Sequence, residues 1–168
     1  NLSAGAYTAD MTTSSPTLAE RIYEKAKKHG IHALDAPVTG GDIGARNATL
    51  NILVGGDEDA YHVMHPVFSA MGTNIIYEGT AGAGQKTKAA NQIAIAGALA
   101  GACEAFAYAR AAGLDAEKVY ASISGGAAAS FQMSNILRMA LDGNFEPGFM
   151  IKHFVKDMTI GVDTGKDY

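Results

Sequence analysis

The sequence predicts an α/β segment that hands over to an all-helical one. Three observations predict it. Strand-like and helix-like patterns alternate up to about residue 82, no strand signal follows Gly84, and the remainder consists of Ala-, Leu- and Met-rich stretches at helical spacing.

Taken in order, Ala6 to Asp10 reads as a short strand. Ser15-Pro16 then supplies an N-cap residue and a proline at the first helical position, so a helix is expected to about His29, with Gly30 ending it. Ile31 to Ala36 reads as the next strand and runs into the turn-rich Pro37-Val38-Thr39-Gly40-Gly41. Thr49 to Val54 alternates and is β-branched. Gly55-Gly56-Asp57 breaks it and caps a helix from about Glu58 to Met71, before a last strand at Asn74 to Tyr77. The order is βαββαβ. Helices are expected over about 85–112, 115–123, 130–142 and 150–164, and a boundary near Gly82 divides residues 1–82 from 83–168.

A chain of 168 residues can bury a real core as one domain or slightly more. With 48% hydrophobic and 18% charged residues it is too apolar for a disordered chain and too interrupted by charge for a membrane protein. The most apolar stretch, Ala94 to Ala107, contains Glu104 and falls short of the roughly 20 apolar residues a span needs, so it reads as a buried helix. The net charge of −4 is spread along the chain without a basic stripe, which disfavours nucleic-acid binding, and no membrane association is expected. Cys103, the one cysteine, reads as a small core residue in a reducing cytoplasm. The chain opens on Asn-Leu-Ser-Ala-Gly without an initiator Met or a signal segment, so its start reads as a cut.

Four segments can carry chemistry. Gly82-Ala83-Gly84-Gln85-Lys86-Thr87-Lys88 suggests a dinucleotide fingerprint with Glu104 as the ribose reader, but its third glycine is absent and no second strand follows the helix. What remains is a helix N-terminus suited to an anion such as a carboxylate. On that helix Lys88, Asn91 and Gln92 stand at i, i+3 and i+4 and can converge on one small polar molecule. Lys86 and the helix N-terminus would both lower the pKa of Lys88 and suit it to general acid work; a solvated polar face is the alternative. Thr39-Gly40-Gly41-Asp42-Ile43-Gly44 follows a strand end, where its glycines can offer N–H groups to a carboxylate or simply form a turn. Lys156, Asp157 and Asp163 form a further candidate, in which Lys156 and Asp163, two helical turns apart, can orient a cofactor or form a surface ion pair. His62 and His65 stand at i, i+3 without a Cys or carboxylate partner, so no metal is implied.

These segments resemble the β-hydroxyacid dehydrogenase family, which includes 3-hydroxyisobutyrate dehydrogenase and tartronate semialdehyde (2-hydroxy-3-oxopropionate) reductase. DAPVTGG at Asp35 to Gly41 is similar to the family's DAPVSGG, GAGQKTKAANQ at Gly82 to Gln92 to its GxGxxxKxxN, FVKDM at Phe154 to Met158 to its KDL motif, and ADMTTSSP at Ala9 to Pro16 to its DxSTxxP loop. The resemblance implies the C-terminal part of a Rossmann-type NAD(P)-binding domain, then the first part of a helical domain like that of 6-phosphogluconate dehydrogenase. It implies Lys88 as catalytic acid and base, Asn91 and Gln92 as aids to substrate placement, and Thr39, Gly40 and Gly41 as the holders of a small carboxylate substrate. Thr13, Lys156 and Asp163 would bind the cofactor, NAD or NADP.

Thr39 replaces the family's usual Ser, adding a methyl to the substrate loop. Gly125-Gly126 and the PGF at Pro147 to Phe149 favour the tartronate semialdehyde reductases, whereas Lys152 stands where those tend to have an acid. The family's GxGxxG is not in this chain, so the chain alone is expected to bind dinucleotide poorly and to be inactive. A homo-oligomer, dimer or tetramer, is expected, and Gly97 and Gly101 would allow close helix packing. The alternative to an enzyme is a noncatalytic family member acting as a dimerisation or partner-binding scaffold.

Overall fold

Strand and helix alternate because Gly and Pro interrupt the apolar runs where the hydrophobic period changes. The computed structural model describes residues 2–146 and 148–166; Pro147 of the PGF segment lies outside them. The first part runs β1 (Tyr7–Asp10), α1 (Pro16–Lys27), β2 (His32–Asp35), β3 (Val38–Thr39), α2 (Gly41–Arg46), β4 (Leu50–Gly55), α3 (Glu58–Ser69) and β5 (Gly72–Gly79). Pro16 opens α1, and Gly30 takes a φ of 66° beyond its end. The expected βαββαβ order is present with two additions, the short strand β3 and the helix α2, where the sequence reads as a turn.

β1 and β2 are parallel, with Asp10 beside Asp35; β4 is parallel to β5 and antiparallel to both β2 and β3. Leu34, Ala36, Ile52 and Val54 of the sheet pack with Ala60 and Phe68 of α3. Each side chain of that size stabilises by about 1.5–3 kcal/mol when fully buried. β1 and β2 end side by side, so their following loops leave the same end of the sheet, where open α/β sheets carry their ligands.

α4 (Ala83–Ala111) follows, then α5 (Ala116–Ile123), a π-helical turn at Gln132–Leu137 continued by α6 (Arg138–Leu141), and α7 (Ile151–Gly165). By packing, the chain forms two compact units, Asn1–Gln92 with Phe149–Tyr168, and Ile93–Gly148. The change from mixed to helical structure near Gly82 and the division by packing therefore fall at different places: the start of α4 and the last helix belong with the sheet. The second unit has its own small core of Ala102, Phe106, Met133 and Leu137.

Two expectations for α4 are corrected. The stretch read as a buried helix buries only one face, at Ala102, Phe106 and Ala109, and Cys103 is exposed. Ala-rich helices are apolar all round, so composition does not reveal which face is covered. By length and composition alone α4 is also long and apolar enough to cross a membrane, Glu104 notwithstanding.

Candidate functional site

Gly84 sits where α4 meets the sheet, and a Cβ there would collide with the carbonyl oxygens of Leu53 and Asp35. A Cβ on Gly55 would lie 2.6 Å from Asp35 Oδ1 and 2.8 Å from the Gly84 nitrogen. These glycines let the helix begin directly against the ends of β2 and β4. The helix N-terminus does meet an anion, but an internal one: Gly82 N–H donates to Asp35 Oδ1 at 2.8 Å and Gln85 N–H to Asp35 Oδ2 at 2.9 Å. This corrects the expectation of an external carboxylate there. The positive end of α4 is already matched by a buried charge.

Asp35 thereby fixes the helix that carries Lys88, one turn along. Gln85, 1% exposed, reaches the other way: its Nε2 donates to the Thr12 carbonyl at 2.8 Å and its Oε1 accepts from Ser14 N–H at 3.0 Å. Asp10 Oδ1 accepts from both the backbone and the hydroxyl of Thr12. Lys156 Nζ, on α7, donates to the Thr13 carbonyl. The loop after β1 is thus held from β1, α4 and α7.

Lys88 is 8% exposed. Its pKa lies below the ordinary lysine range, chiefly because burial disfavours the ammonium; the Asp157 carboxylate opposes that, and the Lys156 ammonium adds to it. Lys86, expected to be the depressing neighbour, instead makes a 2.8 Å ion pair with Glu20. Next to Lys88, Asn91 Nδ2 donates to Gln92 Oε1 at 2.8 Å, and Gln92 Nε2 donates to Asp157 Oδ2 at 2.7 Å. Asp157 is 3% exposed, with Lys156 Nζ 3.0 Å from its Oδ1.

Asn91 and Gln92 therefore form one polar chain that ends on Asp157, and Lys88 stands three and four residues before them on the same helix. Lys156 and Asp163 line a cleft of about 350 Å³ between α7 and the start of α1 at Ser15 and Thr17. They form no ion pair with each other: Lys156 faces Asp157, and Asp163 accepts from Lys166 at 2.7 Å. Thr39, Gly40 and Gly41 stand apart from this chain. Asn51 Nδ2 donates to Thr39 Oγ1 at 3.1 Å, Gly40 precedes α2 with a φ of 120°, and Gly41 opens it with a φ of 63°. Among the described residues no hydrogen bond joins the three glycine-loop positions to Lys88, Asn91 or Gln92. Their segment reaches the lysine helix through its first residue, Asp35. Asp35 and Gln85 are residues that sequence reasoning missed, and Asp157, named there with Lys156 and Asp163, holds Gln92, a part that spacing did not give it. Each lies inside a quoted motif, but nothing in spacing reveals that it is buried.

Residues 82–168 match the model described as the NAD-binding domain of NADP-dependent 3-hydroxyisobutyrate dehydrogenase, and residues 1–79 match the NAD-binding domain of 6-phosphogluconate dehydrogenase. An uncharacterized oxidoreductase of Bacillus subtilis is 55% identical over 97% of this chain and 57% of its own length. The 2-hydroxy-3-oxopropionate reductase of Escherichia coli is 38% identical over 94% of this chain and 54% of its own length. Among solved structures, 3-hydroxyisobutyrate dehydrogenase of Mycobacterium tuberculosis with L-serine superposes with a TM-score of 0.88 at 34% identity, covering 94% of this chain and 57% of that one. The chain spans about half the length of the curated relatives it matches.

Proposed function

The chain belongs to the β-hydroxyacid dehydrogenase family, and from that premise we propose that the protein it comes from transfers hydride reversibly between NAD or NADP and a small β-hydroxyacid or its semialdehyde. The observation that carries this reading is the buried Lys88, on the same helix as Asn91 and Gln92, whose hydrogen bonds run on to the buried Asp157. A lysine whose pKa is lowered, chiefly by burial, exchanges its proton nearer to neutral pH than a solvated one.

The residues present fit the nicotinamide end of the cofactor. Ser14 Oγ is buried with no hydrogen-bond partner among the described residues, in the loop that Asp10, Gln85 and Lys156 hold in place. Thr13, Lys156 and Asp163 would hold that end, beside the cleft between α7 and the start of α1. When bound, the nicotinamide would supply or accept the hydride. Lys88 would give its proton to the carbonyl oxygen as the semialdehyde is reduced, and take it back from the hydroxyl in oxidation. Asn91 and Gln92 would place the substrate, and the N–H groups of Gly40 and Gly41 with the Thr39 hydroxyl would take its carboxylate. A substrate fixed in this way reacts without the entropy loss of a free encounter. The favoured substrate is tartronate semialdehyde or the 3-hydroxyisobutyrate/methylmalonate semialdehyde pair.

The test is NAD(P)H oxidation by the full-length protein with tartronate, succinic and methylmalonate semialdehydes, comparing wild type with Lys88→Ala. Loss of a proton-transferring residue is expected to lower kcat by about 10²–10⁴. A folded wild type that turns over none of the three would replace this reading with that of a noncatalytic scaffold.

A further inference from the structure

We infer that Gln85 is a positioning residue, a buried carboxamide that sets the loop after β1, the one proposed to meet the nicotinamide, at a fixed place against the helix carrying Lys88. This deepens the dehydrogenase reading and rests on it for its purpose.

Gln85 is 1% exposed, in the first turn of α4. A buried amide destabilises unless its donor and its acceptor are both answered. Here one short stretch of distant backbone answers both. Gln85 Nε2 donates to the Thr12 carbonyl at 2.8 Å, and its Oε1 accepts from Ser14 N–H at 3.0 Å. A carbonyl only accepts and a backbone N–H only donates, so these partners also fix which way round the amide lies. Between them stands Thr13, whose carbonyl accepts from Lys156 Nζ. The loop is thus pinned on both sides of the residue proposed to hold the cofactor.

The other end of the pin is anchored. Gln85 N–H donates to Asp35 Oδ2 at 2.9 Å and Gly82 N–H to Asp35 Oδ1 at 2.8 Å. Gly84 between them abuts the carbonyl oxygens of Leu53 and Asp35, with no room for a Cβ. Lys88 follows Gln85 by three residues on the same helix. Loop and lysine therefore share one anchor, in a reaction whose hydride and proton must reach neighbouring atoms of one substrate. Bulk alone would fill the space that Gln85 occupies. The paired donor and acceptor set the register of the loop.

The test uses the full-length protein and compares wild type with Gln85→Met, which keeps bulk without the amide, and Gln85→Glu, which can donate to the Thr12 carbonyl only when protonated. The first readout is hydrogen exchange of the Ser14 amide in the cofactor-free protein. In the Met variant it is expected to run about tenfold faster, with the strands as protected as in wild type. In the Glu variant protection is expected to be lost where the carboxyl is ionised and regained where it is protonated. The second readout is kinetic, with whichever semialdehyde wild type reduces. In the Met variant kcat is expected to fall about 10–100-fold while the semialdehyde KM changes less than about threefold, and the rate ratio of NAD(P)H to its deuterated form to rise. Unchanged Ser14 exchange in the variants overturns the proposal. Faster exchange with kcat and the isotope ratio unmoved overturns it equally, since Gln85 would then serve the fold alone. If the Met variant does not fold, the ionised Glu variant is held to the same outcomes. A wild type inactive with all three semialdehydes overturns the dehydrogenase reading and with it the purpose given to Gln85, while faster Ser14 exchange in the variants would still show the loop to be pinned by this amide.

Discussion

The two compact units differ in what they bury. Among the described residues the five buried polar side chains, Asp35, Gln85, Lys88, Gln92 and Asp157, lie in the sheet-bearing unit. Among its described residues the unit formed by Ile93–Gly148 buries only apolar ones, and it leaves Tyr108 74% and Phe145 81% exposed. Buried polar groups destabilise a fold unless each finds its partner, and Asp35, Gln85, Gln92 and Asp157 are hydrogen-bonded between α4 and neighbouring elements. The proposed chemistry is thus placed in the unit that buries polar groups. One helix crosses from the first environment to the second, so α4 is where the contrast can be tested along a single element.

The largest effect is expected at Gly84, where α4 meets the sheet. Gly84→Ala would drive a Cβ into the Leu53 and Asp35 carbonyl oxygens, and neither backbone can yield without breaking β2 or β4. A loss of about 3 kcal/mol or more is expected in chemical denaturation. A variant as stable as wild type would mean that α4 does not begin so tightly against the sheet.

Lys88→Met sharpens the comparison from the other direction, because it removes buried polarity while keeping bulk. At neutral pH the variant is expected to be more stable than wild type by about 1 kcal/mol, since Asp157 keeps Lys156 as its counter-charge. The sign follows from the lowered pKa of Lys88. The folded chain binds this proton less tightly than the unfolded one, so wild type loses stability as pH falls from the ordinary lysine value to the folded value, and no more below it. The advantage of Met should thus be full at neutral pH and shrink as pH rises toward the ordinary lysine value. An advantage that stays constant across that window would mean that the charge of Lys88 has nothing to do with it.

Most of the fold was legible, because its punctuation is local. Pro16, Gly30 and the Gly55-Gly56 pair mark element ends whatever the rest of the chain does. The segment Val38 to Arg46 was not, since α2 begins at a glycine and is held from outside: Thr49 N–H donates to the Gly44 carbonyl, and a Cβ on Gly44 would press on Leu50. In the site, Lys88, Asn91 and Gln92 were found because one helical face collects them. Asp157 comes from α7, and spacing within α4 could not announce it. The same limit explains why Lys86, near in sequence, was taken for the neighbour that depresses Lys88, a part that falls to Lys156.

The smallest effect lies on the far stretch of the same helix. Gly97 is exposed, and a Cβ there would meet nothing within 4 Å, in contrast to Gly84. A glycine inside a helix carries extra backbone entropy in the unfolded chain, so Gly97→Ala is expected to stabilise by about 0.5–1 kcal/mol. Gly101, equally open, should behave alike and additively, because nothing couples the two outward-facing methyls. Thermal unfolding at two protein concentrations reads both the size and the cause. A gain independent of concentration means that this face of α4 meets only water. A loss, with a melting temperature that falls on dilution, means that another surface packs closely on these glycines and that the methyl pushes it away. In that case smallness on this stretch of the helix would answer to a packed neighbour, as it does at Gly84, and the contrast between the two ends of α4 would shrink to one of partners.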